Sequence, residues 1–302
     1  MYNRAQSLNI NERKKLAKTA YLYYKENKTQ LEIANMLDVD RSTVSRQLKE
    51  AREMGILRVE IDNFDTKILQ MEEYIRNKYQ IPRVEIIPSN LEDSEDRKDI
   101  NLAEAAAFHI KNVIVKDLTV GVAWGKTLKN TIEQIEGNRN TNSTFIPIAG
   151  GPSTINSQYH VNTLVYELAK VFGGQSVFIN ATAVQEEIYL RNKILCSKYF
   201  NQILEHWHNL DLVLLGIGGL LSHKDSHWRD LLSQDDIENL KENHAVGDLC
   251  CQFFDERCKL INGDLSKRTI ALSLSEIRKV PESIAIGRGK SKARTIIALL
   301  RK

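Results

Sequence analysis

Cysteine is scarce in this 302-residue chain, and the little there is lacks a pattern. Cys196, Cys250, Cys251 and Cys258 contain no Cys-x-x-Cys spacing and no matching histidine pair, so they imply neither a zinc site nor a disulfide framework. Buried thiols are the expectation, and no metal or cofactor is called for. An apolar signal core is also missing, because the opening MYNRAQSLNINERKK is polar throughout. The longest apolar run, Leu212 to Leu221, holds three glycines and falls far short of the about 20 residues that cross a bilayer. There is no internal repeat and no low-complexity tract. These absences point to a cytoplasmic protein without a membrane partner. At 42 % apolar and 27 % charged, the chain has the composition of an ordinary globular protein with a small domain and one large core.

A strong charge of one sign is lacking overall, with a net of +3, yet the excess is not evenly spread. Residues 1 to 60 carry twelve Lys+Arg against eight Asp+Glu, net +4, which leaves the remainder at −1. Nonspecific affinity for nucleic acid depends on how many phosphates a local patch neutralises, so the basic N-terminus is the part to inspect.

What that region contains is TQLEIANMLDVDRSTVSRQLKEAREMGI, residues 29 to 56, which reads as a helix-turn-helix. Ile33 and Leu37 lie four apart on the first helix, Ala34 is small enough for the crossing, Val39 plugs the turn, and Val44 and Leu48 anchor the second helix. Asp40 or Arg41 begins that second helix. Its exposed first turns carry Arg41, Ser42, Thr43, Ser45 and Arg46, side chains suited to base edges and phosphates, with Ser42, Thr43 and Arg46 assigned to the bases. Thr29 and Gln30 open the preceding helix, where a cap hydroxyl and backbone N–H groups can hold a phosphate. Two positions depart from the usual pattern. Asp38 stands where a turn glycine is common, and Gln47 where an apolar residue is frequent. A plain helical hairpin is the alternative, and the serine, threonine and arginine cluster argues against it.

The remaining texture is α/β. A helix is expected over Asn11 to Glu26, a short strand over Leu57 to Asp62, and a tether helix over 65 to 79 with Ile68, Met71, Ile75 and Tyr79 on one stripe. From Pro82, strand-like runs at Val84–Ile87, Leu118–Ala123, Phe145–Ala149, Ser176–Ile179, Leu212–Ile217, Thr269–Leu272 and Ser283–Ile286 alternate with helical runs such as 99–115, 127–136 and 161–172. That alternation predicts a Rossmann-like, mostly parallel sheet covered on both faces, behind an all-α DNA-binding domain. The expected domains are 1–62, a linker helix 63–81, and an effector-binding and oligomerisation domain 82–302.

Ligands of open α/β sheets bind beyond the carboxyl ends of strands, where this chain places glycine-rich loops. LTVGVA runs into Trp124-Gly125-Lys126-Thr127 and a helix, which combines backbone N–H groups, a lysine and a hydroxyl in a setting suited to phosphate. A nucleotide P-loop needs four residues before its Gly-Lys-Ser/Thr; Gly121 to Gly125 leaves three, and no aspartate closes a later strand to hold magnesium. NTP hydrolysis is therefore not expected. A tight turn with no ligand is the alternative.

Five segments in order, GVAWGKTL (121–128), Gly150-Gly151, LVLLGIGG (212–219), AVGDLCCQFFD (245–255) and RTIALSLSEIRKVPESIAIGRGKSKARTIIALL (268–300), follow the helix-turn-helix. Over nearly its whole length the chain resembles the SorC family of bacterial transcriptional regulators, whose effector domain is built like sugar-phosphate isomerases. The resemblance implies that Gly125, Lys126 and Thr127 cradle a phosphate, that Gly150, Gly151 and Asn162 line the same cleft, and that Gly218 permits close approach. It implies further that Asp248 accepts from a sugar hydroxyl and Lys292 is a cation near the phosphate. Asp248 has a second reading as the cap of a following helix, and Lys292 as a solvated helix lysine. His160 and His223 are read as packed or surface side chains. In a deoxyribose-phosphate-sensing branch a lysine that bonds its sugar precedes the Gly-Gly; here Ala149 stands there, so capture is expected to be reversible. The family commonly continues past Arg301-Lys302 into a further strand and helix, which leaves the completeness of the sheet edge open.

The function implied is a homodimeric or tetrameric regulator of carbohydrate metabolism that binds a double-stranded operator and responds to a phosphorylated sugar. An isomerase-like enzyme and a DNA binder with a non-sensing scaffold are the competing classes. Of the glycine-rich loops around the cleft, only that of Asp248 offers a carboxylate for base catalysis, which weighs against the enzyme.

Overall fold

A computed structural model describes residues 10–57, 66–90, 92–152, 159–219, 232–261 and 263–301. The chain divides into two compact units, Met1–Met71 and Glu72–Lys302, with the division inside a helix.

The first unit is built from α1 (Ile10–Tyr24), α2 (Gln30–Leu37) and α3 (Arg41–Glu53). Leu16, Ala20, Leu22, Ile33, Ala34, Val44, Leu48 and Ala51 form its core, as the spacing of apolar positions requires. A capping box starts α2: the Thr29 hydroxyl accepts from the Glu32 amide, and the Glu32 carboxylate accepts from the Thr29 amide at 2.8 Å. Asp38 closes α2 in the left-handed conformation, φ 53° and ψ 52°, the conformation for which glycine is the usual choice. The second departure is also explained. Gln47 is buried, and Thr19 of α1 donates to its Oε1 at 2.7 Å, so a polar residue sits in the apolar position because it has a partner. Of the strand expected over 57–62, only Leu57 falls within the described residues.

Helix α4 (Thr66–Tyr79) occupies the tether. Ile68, Ile75 and Tyr79 are half-buried, whereas Met71 is 53 % exposed and drops out of the expected stripe in favour of Glu72. Glu72 accepts from the amide of Ile86 at 2.7 Å. That bond ties down a segment expected to be a strand: among the described residues Val84–Ile87 pairs with no strand and is a loop.

The second unit runs α5 (Glu95–Val113), β1 (Thr119–Val122), α6 (Lys126–Glu133), β2 (Thr144–Pro147), α7 (Val161–Phe172), β3 (Gln175–Ser176), α8 (Ile188–Leu195), α9 (Lys198–His208) and β4 (Leu212–Gly216). It continues with α10 (Gln234–Glu242), β5 (Gly247–Leu249), β6 (Gln252–Phe254), α11 (Asp264–Arg268), α12 (Leu274–Ile277), β7 (Glu282–Ile286) and α13 (Ala293–Leu300). Five strands form a parallel sheet in the order β3-β2-β1-β4-β7. Val120, Val122, Phe145, Ile146 and Leu212 to Leu215 are buried in succession, so the central strands are covered on both faces. Trp207 of α9 fixes one cover by donating to the carbonyl of Pro147 at 2.8 Å. The expected strand Thr269–Leu272 lies outside the sheet and makes only antiparallel bridges, Val184 to Thr269 and Ala149 to Ala271. β5 and β6 form an antiparallel hairpin that the sequence reading missed, beside a small satellite core of Val184, Leu240, Phe253 and Leu265.

Chain order makes one place in this sheet special. From β1 the chain steps outward to β2 and β3, then returns to the other side of β1 as β4. At such a reversal of strand order a crevice opens beyond the ends of the two strands, here β1 and β4.

Candidate functional site

In the first unit, the beginning of α3 presents the chemistry expected of a base-reading helix. Arg41, Ser42, Ser45 and Arg46 are exposed and Thr43 half-buried, while Val44, Gln47 and Leu48 turn inward. Asp40 occupies the N-cap position but makes no side-chain cap bond; its carbonyl accepts from the Thr43 amide at 2.9 Å, and the amides of Arg41 and Ser42 lie ahead of it at the helix start. Thr29 is exposed at the head of α2, with Gln30 half-buried beside it, but the Thr29 hydroxyl is engaged with Glu32. A phosphate contact there falls to backbone amides more than to that hydroxyl.

In the second unit, the crevice at the β1–β4 switch is lined by Ala123, Trp124, Gly125, Lys126, Thr127 and Leu128 from one strand end, and by Gly216, Ile217 and Gly218 from the other. Asp248, Cys250, Cys251 and Lys292 complete it. Gly125 begins α6 with φ 130°, a conformation closed to most side chains, and no side chain caps the helix. The first turn of α6 lines the crevice without a side-chain cap, a favourable setting for an anion. Lys126 Nζ lies 3.1 Å from Asp99 of α5, and that hydrogen bond raises the lysine pKa above its ordinary value, so the side chain is a cation throughout the physiological range.

Asp248 is placed by glycine. A Cβ on Gly218 would lie 1.9 Å from Asp248 Oδ1, so the carboxylate occupies the space that Gly218 leaves, and the Gly218 amide donates to the Asp248 carbonyl at 3.0 Å. Asp248 Oδ2 accepts from the amide of Cys251 at 3.2 Å, across the turn of the β5–β6 hairpin. No helix follows Asp248 for it to cap. Cys250 and Cys251 both have positive φ, 53° and 60°, the conformation of a two-residue turn in which asparagine and glycine are usual. Burial pushes the Cys250 thiol far up, with Asp248 adding to the effect. Among the four cysteines only Cys250 is fully buried; Cys196 is exposed, contrary to expectation, because it stands at the end of α8 where the chain turns into α9.

Residues 65–302 match the family described as "Putative sugar-binding domain". The chain belongs to this family. It is 28 % identical to the Sorbitol operon regulator of Klebsiella pneumoniae over 287 residues, 94 % of this chain and 91 % of that protein. The crystal structure of full-length SorC from Klebsiella pneumoniae superposes with a TM-score of 0.74 at 27 % identity, covering 96 % of this chain and 94 % of that one. A transcriptional regulator from Streptococcus pneumoniae TIGR4 superposes with a TM-score of 0.75 at 39 % identity, covering 79 % of this chain and 91 % of that one. With these relatives, the chain is a SorC-type transcriptional regulator and not an enzyme.

Within this SorC-type framework, six of the nine residues expected to hold effector meet in one crevice: Gly125, Lys126, Thr127, Gly218, Asp248 and Lys292. Gly150, Gly151 and Asn162 do not line it, and each has a structural use. The Gly150 amide donates to the Ile270 carbonyl at 2.9 Å, the Gly151 carbonyl accepts from the Ala183 amide at 2.7 Å, and a Cβ on Gly150 would lie 2.5 Å from the Thr182 carbonyl oxygen. Gly150 thus makes room for the backbone at Thr182, and Gly151 for the His160 ring, whose Nε2 would lie 2.3 Å from a Cβ there. Asn162 spans to Ile179, accepting from its amide and donating to its carbonyl, each at 3.1 Å. Residues 153–158 of the same loop lie outside the described residues. Trp124 connects the two regions by donating from Nε1 to the Gly150 carbonyl at 2.9 Å.

Sequence reasoning missed Trp124, Cys250 and Cys251 as lining residues, although Trp124 adjoins Gly125 and the two cysteines lie within three positions of Asp248. It also missed Asp99, which lies on α5 and has no sequence neighbour in the crevice. His160 caps α7, its Nδ1 accepting from the Asn162 amide at 3.2 Å, and burial lowers its pKa; it is a packed histidine, as read. His223 lies outside the described residues.

Proposed function

We propose that this SorC-type regulator binds a pseudo-palindromic operator through α3, as a cytoplasmic homodimer or pair of dimers, and that a phosphorylated sugar tunes its affinity for DNA. The observation that carries the effector half is the convergence, at one crevice, of an uncapped helix N-terminus, two lysines and an aspartate. A phosphate dianion needs amides and cations, which α6, Lys126 and Lys292 supply. A sugar needs an acceptor for its hydroxyls, and Asp248 is an acceptor only. Ala149 is fully buried and carries no amine, so binding is reversible.

Arg41, Ser42, Thr43, Ser45 and Arg46 meet the DNA, with Ser42, Thr43 and Arg46 on base edges and backbone amides near Thr29 and Gln30 on phosphate. The proposed division of labour is 1–62 for DNA, 63–81 for transmission and 82–302 for effector and assembly. Coupling of about 1–3 kcal/mol between effector and operator, roughly 5- to 150-fold, is typical of such regulators.

Thermal unfolding across a panel of sugar phosphates and the parent sugars tests the reading, because a ligand selective for the folded state raises its melting temperature. A shift with a phosphate, absent with the parent sugar and lost in Lys126→Ala, is the expected result. No shift with any phosphate overturns it.

A further inference from the structure

Three charged elements meet at the rim of the effector crevice. The two oxygens of Asp99 serve different cations: Oδ2 lies 3.1 Å from Lys126 Nζ, and Oδ1 accepts from Arg288 Nε at 2.7 Å. Arg288 also donates to the Glu95 carboxylate at 2.8 Å, and Lys98 pairs with the same carboxylate at 3.0 Å. Asp99, Glu95 and Lys98 belong to the first turns of α5, which Ser94 caps. Lys126 is the first residue of α6 and lines the crevice. The cation best placed to meet a phosphate at the head of α6 is thus already held by a carboxylate from another helix.

We propose that Asp99 is an internal competitor for Lys126, displaced when the phosphate of the effector binds, and that this exchange makes the first turns of α5 the part of the domain that responds to effector. The inference rests on the phosphate-binding reading above. A dianion at the helix terminus outcompetes one carboxylate for Lys126, since it carries more charge and has the first-turn amides of α6 as additional donors. Arg288 remains on Asp99 when Lys126 leaves, so the cluster rearranges without leaving a carboxylate alone. Lys126 is 52 % exposed, so the existing pair is weak enough to break. The raised pKa of Lys126 agrees with a lysine engaged by a carboxylate.

Position gives the exchange a route outward. The segment that enters α5 is tied to α4 by the bond from the Ile86 amide to Glu72, and α4 follows the helix-turn-helix in the chain. Loosening the start of α5 therefore acts on the segment next to the transmission helix.

Isothermal titration of the full chain with inorganic phosphate, in wild type, Asp99→Asn and Lys126→Ala, separates the possibilities. Asn keeps the shape and an acceptor for Arg288 but gives up the charge. Removing a half-exposed pair that competes with phosphate tightens binding by about 2- to 5-fold in Asp99→Asn. Equal or weaker binding in Asp99→Asn, with phosphate still lost in Lys126→Ala, overturns the competition and leaves the phosphate site standing. Failure of wild type to bind phosphate overturns both. A second measurement needs no variant. Hydrogen exchange at the amides of Lys98 and Asp99, the former bonded to the Ser94 carbonyl at 3.0 Å, should quicken when phosphate is added to wild type. Unchanged or slower exchange there refutes the response of α5.

Discussion

Thr19 and Gln47 meet inside the helix-turn-helix core, the hydroxyl donating to Oε1 at 2.7 Å between α1 and α3. The same hydroxyl has the Lys15 carbonyl as a second acceptor at 3.1 Å, so the two partners are not equally dependent on the bond. Gln47→Ala opens a cavity in the core and should lower the stability of this unit by about 1–2 kcal/mol. Gln47→Leu should cost less, because Thr19 turns to Lys15 and the leucine fills the space. Urea unfolding followed by circular dichroism ranks the two, and an equal or larger loss in the leucine variant refutes the account.

At the turn, Asp38 is held at φ 53°, which costs an aspartate more than a glycine. Asp38→Gly should therefore stabilise the helix-turn-helix by about 0.5–1 kcal/mol, offset in part by the greater freedom of glycine in the unfolded chain. A lower melting temperature would mean that the Asp38 side chain contributes more than its backbone strain removes.

Gly218→Ala tests how Asp248 is placed. A methyl group 1.9 Å from Oδ1 must push the carboxylate aside. Loss of a charge-assisted hydrogen bond, about 1.5–3 kcal/mol, weakens the sugar phosphate identified by thermal shift about tenfold or more, with inorganic phosphate binding much less affected. Calorimetry with both compounds decides it; parallel losses would show that the methyl group disturbs the phosphate cradle itself and not Asp248 alone.

Asp236 and Arg268 form a buried pair at 2.9 Å, with side-chain exposures of 7 % and 11 %, joining α10 to α11. Burial alone would raise the aspartate pKa, but the Ser233 amide and hydroxyl and the Arg268 guanidinium outweigh it and hold it below the usual 3.8. A carboxylate with a depressed folded pKa contributes stability that is present above 3.8 and is lost as pH falls through the folded value. Arg268→Met should cost about 3–5 kcal/mol at neutral pH by stranding Asp236, and should move the acid loss to higher pH. Denaturant titrations between pH 3 and pH 7 check both; an unmoved acid limb would show that Arg268 is not what holds the carboxylate ionised.

The helix-turn-helix was legible because its buried positions are local and periodic: Ile33, Ala34, Val44 and Leu48 lie within sixteen residues and all are buried. The central strands were legible for a related reason, since Leu212 to Leu215 form an unbroken apolar run. Val84–Ile87 and Thr269–Leu272 misled because an apolar run states burial, not pairing, and pairing depends on what lies alongside. The packing of Gly150 against the Thr182 backbone and of Gly151 against the His160 ring is a contact no local pattern announces. Asp99 was invisible for the opposite reason. It sits on an ordinary charged helix, and only the packing of α5 against α6 brings it to Lys126.

The crevice draws on residues 123–128, 216–218, 248, 250–251 and 292, which are spread over more than half of the chain. During synthesis Lys292 leaves the ribosome after every other lining residue, so no nascent chain holds a whole effector site. On the proposed function, an effector that needs all four segments stabilises only finished, correctly assembled protein, and the cell's pool of responsive regulator becomes a census of molecules that have completed their folding.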